Sequence, residues 1–280
     1  MTDDVSADDP TPTHAPSLTD LARDSTRSAG HAPLLTWYDD LTGARTELSY
    51  ATLDNWAAKT ANLLSEELDV GPGTSVALDL DGHWTAAVLT LACWKVGAAL
   101  RLPADPSAAD PPPDVVCCHD SRADAHPDGR LIVVGDGFAA EPLSPVAERD
   151  GLILLGETVH AFADDYDAVD VTAATPALVR GTASADHATV FARAQAWAAA
   201  LGDAPRVGLA LALDHPRVPD LLAGVLRARG SLVAVRAATH PAPGHWSTER
   251  VTVVVGADDD RGGAPQGVPT VGIDTVDAAL

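Results

Sequence analysis

Lysine is almost missing from this 280-residue chain: Lys59 and Lys95 are the two present, and none follows Lys95. Basic residues number 18 against 40 acidic ones, giving a formal charge of −22. A protein this acidic has no basic stripe to displace counterions from nucleic acid, and the same deficit disfavours anionic membrane surfaces. The surplus acid reads as a solvated, self-repelling surface rather than a cation trap. Cysteine is scarce too. Cys93, Cys117 and Cys118 are odd in number and lack CxxC spacing, which suits buried thiols in a reducing cytoplasm. The best apolar run, Ala86 to Trp94, stops at Lys95, far short of the ~20 residues of a membrane span. The opening MTDDVSADDPTPTHAP is acidic and rich in Pro and Thr, unlike a signal peptide, and is expected to be disordered.

Several chemical signatures are also absent. There is no G-x-x-x-x-G-K-[ST] phosphate loop, no G-x-S-x-G elbow and no H-E-x-x-H pair, and no histidine pairs with cysteine at zinc spacing. The clusters Asp164-Asp165-Tyr166-Asp167 and Asp258-Asp259-Asp260 lack EF-hand spacing and its closing Glu, so they read as solvated loops and no metal site is expected. Gly135-Asp136-Gly137-Phe138-Ala139-Ala140 matches the G-x-G-x-x-A dinucleotide fingerprint, with Glu157 about twenty residues on. Pro142 and Pro145 would break the helix that such a site requires, so the stretch reads as a Gly-rich turn.

With 46% apolar residues, the chain has enough to bury a core. Its order of elements implies an α/β fold of layered subdomains, with mainly parallel sheets flanked by helices. Residues 1–32 read as a largely disordered acidic tail holding a short helix over 17–28, capped by Ser17 with Asp20 three residues on. A first α/β segment, 33–103, opens on a hairpin: Leu34 to Asp40 and Ala44 to Tyr50 flank Leu41-Thr42-Gly43. Ser49 then caps a helix whose Leu53, Trp56, Ala57, Thr60, Leu63, Leu64 and Leu68 share one face. Strand Thr74 to Leu80, helix His83 to Gly97 and strand Leu100 to Leu102 make a βαβ unit, hence a parallel pair. Residues 104–113 are a Pro-rich linker. The second segment, 114–280, has short apolar runs at 115–118, 131–134 and 152–155, then strands at 206–213, 231–237 and 251–257 with a helix over 219–229.

The stretch Ala177 to Trp197 carries the functional question. It reads as a buried strand (Ala177 to Val179), a loop of small and polar residues (Arg180 to Ala185) and a helix opening at Asp186. Such a form aims backbone N–H groups and a helix dipole at one spot, the usual grip on phosphate. His215, in Asp214-His215-Pro216 just past a strand, stands where α/β proteins place ligand groups, although a loop histidine is the plainer reading.

Pro33-Leu34-Leu35, the SYATLDNWAAKTANLL helix, Gly71-Pro72-Gly73 before SVALDL, and HWTAAVLTLACWKVGAALRLP together resemble the N-terminal region of acyl-CoA synthetases, within the acyl- and aryl-adenylate-forming (AMP-binding) ligases. The chain is also similar to short relatives in high-GC bacteria that end before the catalytic lysine. The family's phosphate loop, approximately S-G-T-T-G-x-P-K-G, would fall on Arg180 to Ala188. Gly181 and Thr182 then survive, Ser184 replaces a glycine, Asp186 the proline and His187 the lysine. Of the family's aromatic–His pair only His215 is kept, beside Asp214. The later Y-G-x-T-E and T-G-D motifs and the lysine-bearing C-terminal domain are not found. A helix-capping Asp186 would also oppose a phosphate. At ~5 Å and an effective dielectric of ~20, that repulsion is about 3 kcal/mol. The resemblance therefore implies a non-catalytic descendant with no catalytic residue. Its nucleotide remnant would be Arg180, Gly181, Thr182, Ser184 and His187, His215 would be a pocket residue, and ATP or AMP would be held weakly at best. Two alternatives stay open: an active acyl-activating ligase completed by a C-terminal domain in trans, and a structural or interaction protein. A protein partner or a homodimer is expected, without nucleic acid or membrane.

Overall fold

The computed structural model describes residues 16–102, 111–167, 171–236, 243–257 and 263–276. The acidic opening through residue 15, most of the Pro-rich linker and Asp258-Asp259-Asp260 lie outside the described residues.

Two sheets organise the chain. In the first, β1 (Pro33–Asp39), β2 (Ala44–Ser49), β10 (Arg206–Leu209), β11 (Ser231–Arg236), β12 (Val253–Gly256) and β13 (Thr270–Gly272) lie in the order β13-β12-β10-β11-β1-β2. In the second, β3 (Ser75–Asp79), β4 (Ala99–Arg101), β5 (Val115–His119), β6 (Arg130–Val134), β7 (Leu152–Leu154), β8 (Pro176–Arg180) and β9 (Ala183–Asp186) lie in the order β7-β6-β5-β3-β4-β8-β9. Every pairing is parallel except the two hairpins, β1–β2 and β8–β9. The fold is thus α/β with mainly parallel sheets, as the alternation of elements requires. Each sheet draws strands from both sides of residues 104–113, so the two sequence segments are not the two sheets.

The parallel strands are buried on both faces, and their side chains divide with period two. Leu232 and Ala234 of β11 enter the large central core, while Val233 and Val235 pack outward with Trp246 and Val251. On β6, Ile132 and Val134 face the central core, and Leu131 and Val133 join Cys118 and Ala123 on the far side. All three cysteines are free and buried.

Helices cover the sheets. α1 (Leu18–Ala29) has the expected capping box, in which Ser17 Oγ accepts from Asp20 N–H while the Asp20 carboxylate reaches back to the Ser17 N–H. Instead of trailing with a tail, α1 buries Leu18, Leu21 and Ala22, and Ser25 Oγ donates to Leu226 O at 3.1 Å. α2 (Tyr50–Leu68) is capped by Ser49, and α3 (Thr85–Val96) is buried at every residue. Its Lys95 is held by Asp54 at 2.8 Å, and Lys59 of α2 by Asp164 at 2.6 Å, so both lysines are taken by carboxylates.

After the short α4 (Leu155–Thr158), α5 (His187–Leu201) and α6 (Val218–Arg227) approach closely where Gly224 meets Trp197. A Cβ at Gly224 would lie 2.2 Å from Trp197 Cβ. Gly224→Ala is therefore expected to lower stability by roughly 1–3 kcal/mol, read from the urea midpoint, because the two helix backbones must separate. An unchanged midpoint would refute the close contact.

Two sequence expectations end differently. The strand expected over 206–213 stops at Leu209, because Ala210 and the residues after it turn toward Asp214. The Gly135 segment is a tight turn, with Gly135 N–H donating to Ala140 O and Gly137 N–H to Glu141 O, each at 2.9 Å, and no long helix follows.

Candidate functional site

The segment expected to be a loop, Arg180 to Ala185, is instead a β-hairpin. Arg180 pairs with Ala183, Val179 with Ser184 and Leu178 with Ala185, which leaves Gly181 and Thr182 alone as the turn. Gly181 adopts φ +57°, the left-handed region that glycine enters without strain. Backbone groups that an open loop would aim at a ligand are used instead in the β8–β9 ladder.

The candidate residues separate accordingly. Gly181 and Thr182 are exposed at the turn, and Ser184 lies on β9 at the edge of its sheet. His187 opens α5 and is fully buried, with its Nδ1 accepting the Leu18 N–H of α1 at 3.2 Å. Burial pushes its pKa down to about 4, against the pull of Asp186 and Asp20. Asp186 caps α5: its Oδ1 accepts Thr189 N–H at 2.8 Å, and those hydrogen bonds hold its carboxyl below the usual range. Arg180 and the His215 turn do meet. Arg180 Nε donates to Pro216 O at 2.8 Å, and its Nη2 pairs with buried Asp220. His215 is half-buried, its Nδ1 accepts Arg217 N–H at 3.2 Å, and burial lowers its pKa.

A second polar cluster is not apparent in the sequence. The C-terminal ends of parallel strands are the customary ligand position of α/β sheets. Here Asp39 ends β1, Arg236 ends β11, Asp79 ends β3 and His119 ends β5, while Asp136 lies two residues past β6. Arg236 Nη1 contacts Asp136 at 2.6 Å and Asp39 at 3.4 Å, and its Nη2 contacts Asp81 at 3.1 Å. Arg122 joins Asp79 at 2.8 Å to Asp81 at 3.1 Å, and His126 Nε2 lies 2.9 Å from Asp79. His119 Nδ1 accepts Ser121 N–H, so its Nε2 carries the proton that reaches Asp136 at 3.0 Å. Burial works against the charge on Asp136, yet the His119 hydrogen bond and the Arg236 guanidinium outweigh it and keep its pKa low.

Asp214, in the turn after β10, closes the same region, accepting Leu80 N–H at 2.8 Å and Gly82 N–H at 3.1 Å. Burial raises its pKa despite those bonds. The sheets are thus tied together by their own side chains where a ligand would enter. The signal available in the sequence was a charged residue directly after each apolar run. Among the described residues, no group of three or more His, Cys, Asp or Glu is placed to hold a metal, and no helix is long and apolar enough to cross a membrane.

Comparison with known proteins gives the geometry a context. Residues 23–112 match the AMP-binding enzyme family. A "TIGR03089 family protein" of Mycobacterium tuberculosis is 34% identical over 230 residues, covering 80% of this chain and 91% of the relative. The N-terminal domain of FACL13 from Mycobacterium tuberculosis superposes with a TM-score of 0.67 at 17% identity, over 86% of this chain and 63% of that one. An acyl-CoA synthetase of Brucella canis superposes with a TM-score of 0.70 at 15% identity, over 87% and 48%. The chain therefore spans about half to two thirds of these ligase structures, and shares their fold.

Proposed function

Because this chain belongs to the TIGR03089 family and carries an AMP-binding-enzyme match, we propose that it is a non-catalytic descendant of adenylate-forming ligases that acts by binding. The observation that carries this reading is the two-residue turn Gly181-Thr182 between paired Arg180 and Ala183. A loop of the S-G-T-T-G-x-P-K-G kind has nine residues and a lysine. Two residues cannot surround a triphosphate, and both lysines are paired elsewhere. Among the remnant residues Arg180, Gly181, Thr182, Ser184 and His187, Gly181 and Thr182 sit on an exposed turn and His187 is buried against α1, so ATP or AMP is held weakly at best. The three unpaired thiols favour a reducing cytoplasm. Phe138, fully exposed, and Leu143 favour action through a protein partner or a second copy.

The competing reading, an acyl-activating ligase completed by a C-terminal domain in trans, draws on Arg180 lying against the His215 turn. ATP–pyrophosphate exchange with a panel of fatty and aryl acids separates the two. The expected result is no exchange above background. Turnover that disappears in Thr182→Ala would establish the ligase instead.

A further inference from the structure

We propose that Ser121 is a nucleophilic serine, activated by His119 and Asp136, that hydrolyses small esters without negative charge in the groove beside it. β5 ends at His119, and the 3₁₀ turn Asp120–Ala125 that follows it sets Ser121 two residues on. The Ser121 hydroxyl donates to His119 Nδ1 at 2.8 Å, while His119 Nε2–H donates to Asp136 at 3.0 Å. This is the nucleophile, base and orienting carboxylate of covalent acyl transfer, in hydrogen-bond reach of one another. Asp136 comes from the Gly135 turn. A Cβ at Gly135 would lie 2.3 Å from Pro142 Cα, so the chain closes there only with glycine, and the closed turn holds Asp136 at the imidazole.

A hydroxyl on a histidine two residues earlier is not by itself a catalytic pair. At the start of α3, His83 Nδ1 and Thr85 Oγ1 lie 2.9 Å apart and Thr85 N–H points to the same nitrogen at 3.4 Å, a helix cap buried from solvent. Ser121 differs in two respects. It is exposed, and it lines an open groove of about 420 Å³ whose other wall is residues 144–147. Its histidine, only 2% exposed, rests its second nitrogen on a carboxylate that Arg236 also contacts at 2.6 Å. Attack by Ser121 Oγ on an ester carbonyl forms the Oγ–C bond, and the hydroxyl proton passes to His119 Nδ1. The imidazolium then lies between Asp136 and Asp120, whose Oδ1 is 3.1 Å from Nδ1. As the C–O bond to the alcohol breaks, that proton leaves with the alcohol. Water next gives its proton to the same nitrogen and its oxygen to the acyl carbon. The proton returns to Ser121 Oγ as the acid departs. Asp120 and Asp124 line the groove and repel anionic substrates, while Pro145 and Val146 offer apolar contact, which fits a short neutral or cationic ester. This activity goes beyond the binding role proposed above. It is separate from the lost ligase chemistry, which concerns the β8–β9 hairpin on the other side of β3 and β4 in that sheet. Pyrophosphate exchange reports on the one and serine labelling on the other.

Incubating the full chain with a fluorophosphonate and mapping the adduct by mass spectrometry tests the site. Displacement of fluoride by Ser121 Oγ is expected, with Ser144, exposed on the other wall of the groove, left unmodified. Labelling should slow as the solution is acidified and His119 takes up the proton that disables it as a base, over a range where the far-UV signal of the fold is constant. The same chain should hydrolyse p-nitrophenyl acetate, and Ser121→Ala should lower that rate at least about 100-fold. Because Ser121 is exposed and its N–H still caps His119, this substitution should leave the thermal midpoint near that of the parent. No adduct on Ser121, equal labelling of Ser144, labelling that ignores pH over that range, or ester turnover that survives Ser121→Ala would each overturn the proposal.

Discussion

Replacing Arg236 by alanine is expected to destabilise the fold by roughly 3–5 kcal/mol, measured as a shift in the urea midpoint at unchanged m-value. Arg236 is only 8% exposed and touches Asp39, Asp81 and Asp136. Asp39 is itself 1% exposed, so alanine would strand a buried carboxylate without its cation. The loss would come mainly from that uncompensated charge, and less from the attraction removed. A second substitution separates the two. Asp39→Asn keeps an oxygen that can accept the Leu41 N–H, bonded at 2.8 Å in the parent, but removes the charge. Combined with Arg236→Met it should therefore recover much of the loss. A single-variant cost below about 1 kcal/mol would mean that water readily replaces the guanidinium and that the sheets are not tied there.

Acidification supplies the second large effect. His187 and His83 are buried, and burial pushes their pKa values down to about 4 and about 3, His119 adding to the fall at His83. In the unfolded chain both return to about 6.5 and take up protons that the native state refuses. Their contribution to stability is complete above about pH 6.5 and is lost as pH falls toward the folded values. At about pH 5 each costs about 2 kcal/mol, or about 4 kcal/mol together. Glu249, held at about 2, belongs to a lower window and leaves this one unaffected. His83 sits between Trp37 and His119, and His187 under α1, so both ends of the molecule should loosen together. Urea midpoints at about pH 7.5 and pH 5 check the effect, and His187→Gln should remove about half of the difference. A midpoint unchanged between the two would show that both imidazoles are hydrated.

Much of the frame was legible because its signals are local. Ser17 and Ser49 cap their helices, Leu41-Thr42-Gly43 joins β1 to β2, and the strand–helix–strand run from Ser75 to Arg101 forms its parallel pair. β9 was hidden because Ala183-Ser184-Ala185-Asp186 has neither β-branched residues nor apolar alternation. Its one sign was Gly181-Thr182, a Gly-X pair suited to a two-residue hairpin. His187 keeps the helix start that the sequence implied, but it is fully buried there, an environment that spacing alone could not reveal. The Arg236 cluster was illegible for a different reason. Each member is an ordinary charged residue after an apolar run, and the partners come from strands of different sheets.

The pairing of β1 with β11 also constrains how the protein is made. Leu35 must lie beside Leu232, yet 197 residues separate them in the chain. At roughly 5–20 residues per second, a ribosome needs about 10–40 s to deliver the second strand after the first. Throughout that interval one edge of the finished β1–β2 hairpin, which includes Leu34, Leu35 and Trp37, waits without its neighbour. During synthesis this edge is the place where a chaperone, or a neighbouring nascent copy, would find purchase.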